Sequence, residues 1–114
     1  FKRLIITCPY PQLKKLSRKY LSKKLLNLNI NMKPNLTLML AIKQMKPLPI
    51  SSIKFNDDIL AWAAYENSKK RFKSKIHLWT IQACLDWSIK KINKYKKDKS
   101  IINQMVSRFL QKKI

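Results

Sequence analysis

Residues 75–97 read KIHLWTIQACLDWSIKKINKYKK, the longest amphipathic stretch in the chain. Apolar side chains recur through it at the three- and four-residue spacing that is typical of one helix face. Its last turns are rich in lysine, which interacts favourably with the carboxyl end of a helix. The stretch therefore predicts one long helix over 75–97. The side chains that would form its apolar face are Leu78, Trp79, Ile81, Ala83, Leu85, Trp87, Ile89, Ile92 and Tyr95.

The N-terminal part of the chain predicts an extended segment over 1–10, followed by a helix that begins at Pro11. Proline is favoured at the first helical position, and apolar side chains follow it at helical spacing. Basic residues cover the rest of this helix. Its predicted core stripe consists of Leu13, Leu16, Tyr20, Leu21 and Leu25.

Two middle segments allow more than one assignment. The length and Met/Leu content of residues 35–46 favour a helix between Pro34 and Pro47, although the leucines also alternate as they would in a strand. For residues 57–72 we predict a helix capped by Asn56, because the acidic residues that follow suit a first turn. A hairpin turn is the alternative there.

The last predicted helix is capped by Ser100 and keeps amphipathic spacing through Phe109. Together the segments predict a mainly α fold, a small helical domain of four to five helices spanning 1–114. This fold class allows a short irregular hairpin around 50–65. The three tryptophans are expected in the core, because they fall on apolar faces.

The charge balance is the strongest indication of function. The 114 residues include 26 Lys and Arg but only five Asp and Glu, so the net charge is +21. A small domain with this excess repels itself and needs a polyanion to neutralise it, and nucleic acid is the obvious one. The apolar fraction of 46% is too high for a disordered basic tail.

The absence of glycine excludes several classes of enzyme. Phosphate-binding loops, dinucleotide fingerprints and nucleophile elbows all need glycine for a close backbone approach or a positive φ. His77, Ser88 and Asp86 have no spacing that indicates a catalytic triad, and Cys8 and Cys84 form neither a disulfide framework nor a metal-binding quartet. We predict no enzyme activity, no cofactor, no metal and no small-molecule substrate. No charge-free stretch is long enough for a transmembrane segment.

Three basic runs and the C-terminal lysines form the predicted RNA-binding surface. Lysine and arginine contact phosphates without reading the base sequence. Three runs with almost no acid between them indicate such contacts more strongly than one solvated helix face would. The predicted RNA-binding residues are Lys14, Lys15, Arg18, Lys19, Lys23, Lys24, Lys69, Lys70, Arg71, Lys73, Lys75, Lys90, Lys91, Lys94, Lys96, Lys97, Lys112 and Lys113.

Three segments resemble a known family. Residues 34–47, PNLTLMLAIKQMKP, resemble the small-subunit ribosomal protein seven family, in which a proline, a helix and a Lys-Pro pair occur at this separation. ACLDW at 83–87 and KSIINQMVSRFL at 99–110 resemble two later helices of that family. A rival resemblance, carried by Ala64-Tyr65 and Leu78-Trp79, is to large-subunit ribosomal protein twenty.

Either resemblance implies a structural component of a ribosome that binds ribosomal RNA and contacts neighbouring ribosomal proteins; the first implies the small subunit. The abundance of Lys, Ile and Asn is typical of an A/T-rich genome, such as that of a protist organelle, an endosymbiont or a parasite. We therefore expect a mitochondrial ribosome in the matrix, with a cytoplasmic ribosome as the alternative. Two other functions stay open: an accessory subunit of a respiratory complex whose basic faces meet anionic lipid, and a free cationic membrane-active peptide.

Overall fold

A computed structural model describes residues 2–3, 5–43, 46–71 and 75–112. Within the single domain predicted over 1–114, the contacts separate two compact units, residues 1–33 and 34–114. The first unit contains helix α1 (Tyr10–Ser17) and the short helix α2 (Lys23–Leu26). The Tyr10 hydroxyl donates a hydrogen bond to the Leu25 carbonyl over 2.5 Å and so ties the two helices together.

The predicted core stripe of the first unit is wrong. The helix that begins near Pro11 is present, but none of its described residues is buried. Leu16 and Tyr20 are 73% and 88% exposed. The spacing predicted helix through Leu25, but the structure has two short helices separated at residues 18–22, and the described part of this unit contains no second apolar layer to cover the stripe.

The second unit is a mixed α/β domain, so the mainly α prediction is wrong. Four antiparallel strands, β1 (Thr37–Ile42), β2 (Ser52–Lys54), β3 (Leu60–Tyr65) and β4 (His77–Ala83), form one sheet in the order β1-β4-β3-β2. A 3-10 turn, Glu66–Lys69, follows β3. Helices α3 (Leu85–Lys91) and α4 (Ser100–Leu110) follow β4.

The stretch predicted as one helix over 75–97 is a strand followed by a helix. In β4, four side chains at every second position are buried, and the three between them are only partly buried. This two-residue period, together with aromatic and β-branched residues, stabilises a strand. Helical structure begins only at Leu85 and continues beyond α3 as turns, in which the Asp98 amide donates to the Lys94 carbonyl.

Strand β1 replaces the helix predicted over 35–46, and the alternative strand assignment is confirmed. Its burial alternates along all six residues, with Leu38, Leu40 and Ile42 packed against the core. Each lies opposite a buried residue of β4, for example Leu40 opposite Trp79. Tertiary packing on the sheet outweighs the helical propensity of Leu and Met.

Strand β3 and the 3-10 turn after it replace most of the helix predicted over 57–72, and β3 contains a bulge. Leu60 pairs with Ala83 and Trp62 pairs with Gln82, so Ala61 is an extra residue in the ladder. Without this insertion, Leu60 and Trp62 would lie on the same face of the sheet. With it, Leu60 is fully buried in the core, while Trp62 lies on the opposite face.

Helix α4 covers the inner face of the sheet, and this last predicted helix is confirmed. Ile101, Met105 and Phe109 are buried on one side of it. The Phe109 ring lies 5.1 Å from the Trp79 ring and meets it edge-on. The amide of Ser100, the predicted cap, donates a hydrogen bond of 2.9 Å to the Asp98 carboxylate, so Asp98 takes the capping role.

Candidate nucleic-acid interface

Most of the acidic residues in the second unit bind cations or backbone amides of the domain itself. Asp57 forms ion pairs with Arg108 and Lys112, and its side chain is 1% exposed. Burial alone would raise the pKa of Asp57, but hydrogen bonds from Lys112, from two backbone amides and from Arg108 outweigh it and hold the pKa well below its usual range. Asp57 therefore stabilises the fold. Because its ion-pair partners are Arg108 and Lys112, it does not neutralise the other surface cations that the structure describes.

Four exposed cations gather at one end of the sheet, which we call the basic end. Because Ile42 pairs with His77, the residue after β1 and the residues before β4 lie at the same end. The turn after β3 reaches this end too, since Tyr65 pairs with Trp79. None of the four forms a direct ion pair within the described part of the chain. The basic end consists of Lys43, Lys70, Arg71 and Lys75.

Asn67 anchors the connection between β3 and β4, which carries every cation of the basic end except Lys43. Its side-chain amide donates to the Ile76 carbonyl over 2.9 Å, and its carbonyl oxygen accepts the Leu78 amide over 2.8 Å. The Ser68 hydroxyl donates to the Tyr65 carbonyl over 2.7 Å. These bonds fix the base of the connection to the ends of both strands, so the basic end is held on the sheet.

Lys70 occupies a backbone conformation that normally favours glycine. Its φ of 52° and ψ of 26° lie in the left-handed region, directly after the 3-10 turn. A residue with a Cβ is disfavoured there by about 1–2 kcal/mol. In a chain without glycine a lysine takes this position, and the turn places its charge at the basic end.

Lys69 differs from its neighbours in the same run. Its ammonium contacts the Glu66 carboxylate at 2.6 Å. This hydrogen bond is the largest cause of the lowered pKa of Glu66, and a hydrogen bond from Thr80 lowers the pKa further. Lys69 therefore neutralises an acid of the domain itself and is the natural comparison residue for the unpaired cations beside it.

The run after β4 is only partly free of acids. Lys90 lines an open cavity of about 420 Å³ together with Asp57, Asp58 and Asp86. Beyond it, Lys94, Lys96 and Lys97 are exposed on the turns that extend α3, whereas Lys91 is partly buried. Lys96 lies 6.0 Å above the Tyr95 ring. Asp57, Asp58 and Asp86 thus lie near the carboxyl end of β4, whereas the basic end lies at its amino end.

The acidic cavity also contains Cys84. Burial raises the pKa of its thiol, and the nearby aspartates raise it further. A thiol held in its neutral form is a poor nucleophile and a poor metal ligand. Over the described ranges, no three His, Cys, Asp or Glu side chains are grouped so that they could hold a metal ion.

The predicted RNA-binding residues fall into four groups in the structure. Six of the predicted residues belong to the first unit and are all exposed, namely Lys14, Lys15, Arg18, Lys19, Lys23 and Lys24. Lys70, Arg71 and Lys75 meet at the basic end, while Lys94, Lys96 and Lys97 are exposed beyond α3. Lys69 and Lys112 are in ion pairs. Lys90 is exposed but lies near acids, and Lys91 is partly buried. Lys73 and Lys113 lie outside the described residues.

Sequence reasoning missed Lys43. It stands between Ile42 and Gln44 and belongs to no basic run. Only the pairing of β1 with β4 brings it beside Lys75. The alternation of Leu36, Leu38, Leu40 and Ile42 was the available signal for β1, but no sequence feature indicated its partner strand.

The outer face of the sheet, on the side away from α4, is partly open. Its central residue is Trp62, which corrects the expectation that all three tryptophans are in the core. Trp79 is 1% exposed and Trp87 packs against the core, but Trp62 lies opposite Gln82 and Lys54 on the outer side. The outer face consists of Thr37, Met39, Ala41, Ser52, Lys54, Trp62, Ala64, Leu78, Thr80 and Gln82, of which Ala64 is buried.

Comparison with known proteins adds no family. Neither a protein-family model nor a curated protein sequence matches this chain. In the part of the chain that the structure describes, no helix combines the length and the apolar character needed to cross a bilayer.

Proposed function

We propose that this chain is a structural RNA-binding protein that neutralises phosphates through its basic end, through the cations beyond α3 and through those of the N-terminal unit. One observation carries the proposal. Four exposed cations without direct ion pairs meet at one end of the sheet, while three of the five acids line a cavity near the other end. Such a one-sided distribution suits a polyanion that approaches from the basic side.

Ribosomal RNA is the RNA that the sequence resemblance indicates. Lysines dominate the exposed cations, and they act as point charges that contact phosphate without reading the base sequence. A protein of this kind would hold RNA strands together within a ribosome, for which we propose a small subunit of mitochondrial type. The support for this finer assignment is the basic composition and the motif at 99–110, most of which forms helix α4.

The test is fluorescence anisotropy with labelled ribosomal RNA fragments at fixed, moderate salt. We expect the combined substitution of Lys43, Lys70, Arg71 and Lys75 by glutamine to weaken binding about 100-fold or more, because several counterion-releasing contacts are lost. The matched control is the double substitution of Lys69 and Glu66 by glutamine, which removes their ion pair and leaves the net charge unchanged. Its effect should be smaller than that of Lys75→Gln alone.

A parallel titration with cardiolipin vesicles tests the lipid alternative at the same salt. The proposal predicts tighter binding to RNA than to vesicles, and a loss in the combined variant that is specific to RNA. Saturable binding to vesicles, with weak and variant-insensitive binding to RNA, would overturn it.

A further inference from the structure

The outer face of the sheet has the side chains of a base-stacking surface. Thr37, Gln82, Trp62 and Lys54 lie in one row across all four strands, because each pairs with the next. The row joins an aromatic ring, hydrogen-bonding groups and a cation. Thr80 belongs to the neighbouring row, opposite the exposed Met39.

Trp62 is held on this face by the bulge in β3. The extra residue Ala61 separates it from Leu60, so that one side chain enters the core and the other does not. A bulge re-aims a side chain at a cost in ladder regularity. Trp62 is only partly buried, and the rings that pack together in the core belong to Phe55, Tyr65, Trp79 and Phe109.

An apolar groove of about 300 Å³ continues from this row toward the basic end. Met39, Ala41 and Leu78 line it, together with Thr80. Ala41 pairs with Leu78 one step before the Ile42–His77 pair that brings Lys43 to the basic end. Apolar surface for bases and cations for phosphates therefore adjoin each other.

The charges around the outer face indicate which partner it fits. Lys54 stands in the row with Trp62, and the basic end borders the groove. The one acid lining the groove is Glu66, which is neutralised by Lys69. A surface with apolar and aromatic side chains in the middle and cations at its borders matches a single strand, whose bases are free to stack; a duplex hides its base faces.

We infer that the outer face binds a single-stranded segment of RNA, with Trp62 as the stacking platform and with Lys54 and the basic end on the phosphates. This inference rests on the proposed RNA-binding function and adds the form of RNA that the site takes. Gln82 supplies a side-chain amide to base edges, while the hydroxyls of Thr37 and Thr80, which donate to Asn35 and Glu66, can still accept hydrogen bonds.

The test compares an oligouridylate of about ten nucleotides with a duplex of the same length. Trp62→Leu should weaken binding of the single strand about 10-fold or more and leave duplex binding nearly unchanged. Trp62→Phe keeps a ring and should retain most of the affinity. The control is Ile102→Ala, which removes an apolar side chain that is 45% exposed on α4; it should change neither affinity.

Tryptophan fluorescence provides a second measurement that does not depend on the leucine variant being folded. Single-stranded RNA should quench part of the wild-type emission, and this quenching should be absent in Trp62→Phe, which retains Trp79 and Trp87. Wild-type RNA binding with unaltered quenching in Trp62→Phe would overturn the inference and leave the proposed function intact. Failure of the wild-type protein to bind either RNA would overturn both.

Discussion

Arg108 donates a hydrogen bond from Nε to Asp57 Oδ2 over 2.8 Å, and this contact joins α4 to the turn before β3. Asp57 also accepts the backbone amides of Ile59 and Leu60 at 2.8 and 3.1 Å. One carboxylate thus fixes the start of β3 and holds the helix layer on the sheet. Arg108 reaches Asp58 as well, but that side chain is 78% exposed.

We expect Asp57→Ala to lower the free energy of unfolding by about 2–4 kcal/mol, because it leaves two amides, Arg108 and Lys112 without their acceptor. Asp58→Ala is the control and should cost less than about 1 kcal/mol, since it removes only an exposed pair. Urea unfolding followed by circular dichroism measures both. Equal effects of the two substitutions would show that the Asp57 network does not hold α4.

The same carboxylate predicts how stability depends on pH. The pKa of Asp57 is lower in the folded protein than in the unfolded chain, so its stabilising effect is fully present above the unfolded pKa of about 3.9. This stability is lost as the pH falls through the folded pKa. We expect the free energy of unfolding from this group to be level between pH 7 and about pH 5 and to fall below about pH 4.

Asp57→Asn identifies the group responsible for this acid sensitivity. It keeps an oxygen that can accept the two amides but does not titrate, so its stability should decline less on acidification. Glu66, whose pKa is also lowered, accounts for part of the remaining slope. Parallel pH profiles of wild type and Asp57→Asn would contradict the role assigned to Asp57.

Because Lys70 has a left-handed conformation, two substitutions at this residue can distinguish its effect on stability from its effect on RNA binding. Lys70→Gly removes the Cβ that is disfavoured at this φ and should raise the free energy of unfolding by up to about 1 kcal/mol, while RNA binding weakens through the lost charge. Lys70→Ala loses the same charge but keeps the Cβ. It should bind RNA as weakly as the glycine variant without the gain in stability, and thermal melts with anisotropy titrations test both effects.

The N-terminal unit is expected to gain structure when a polyanion binds. It carries nine basic and no acidic residues, and none of its described residues is buried. Helices as short as α1 are marginal without packing or charge neutralisation. Polyphosphate, which absorbs little in the far ultraviolet, should increase the helical circular dichroism of the full chain at low salt, and high salt should suppress the increase. An unchanged spectrum at saturation would count against this coupling.

Helices α1 and α4 could be predicted from the sequence, because their own residues show helical spacing. The sheet could not be predicted from local spacing, because its strands depend on partners far along the chain. Trp79 and Ile81 fit a helical stripe and a strand equally well within a short window. Only the pairing of β4 with β1 and β3 decides between them.

The candidate interface was predictable in composition but not in arrangement. The basic run at 69–71 and Lys75 was visible in the sequence, yet the ion pair that removes Lys69 from it depends on the turn after β3. Lys112 looked like a free terminal cation, but α4 brings it to Asp57, 55 residues earlier. Trp62 was misassigned because a bulge has no clear signature in the sequence Leu-Ala-Trp-Ala-Ala-Tyr.

The most direct test of phosphate binding by the basic end is the salt dependence of RNA affinity. The slope of log affinity against log salt should be about −0.7 for each phosphate neutralised on a single strand. Replacing Lys43, Lys70, Arg71 and Lys75 by glutamine should therefore make the slope shallower by about 2–3, whereas replacing both Lys69 and Glu66 by glutamine should leave it nearly unchanged. An identical slope in the wild type and the combined variant would contradict the account.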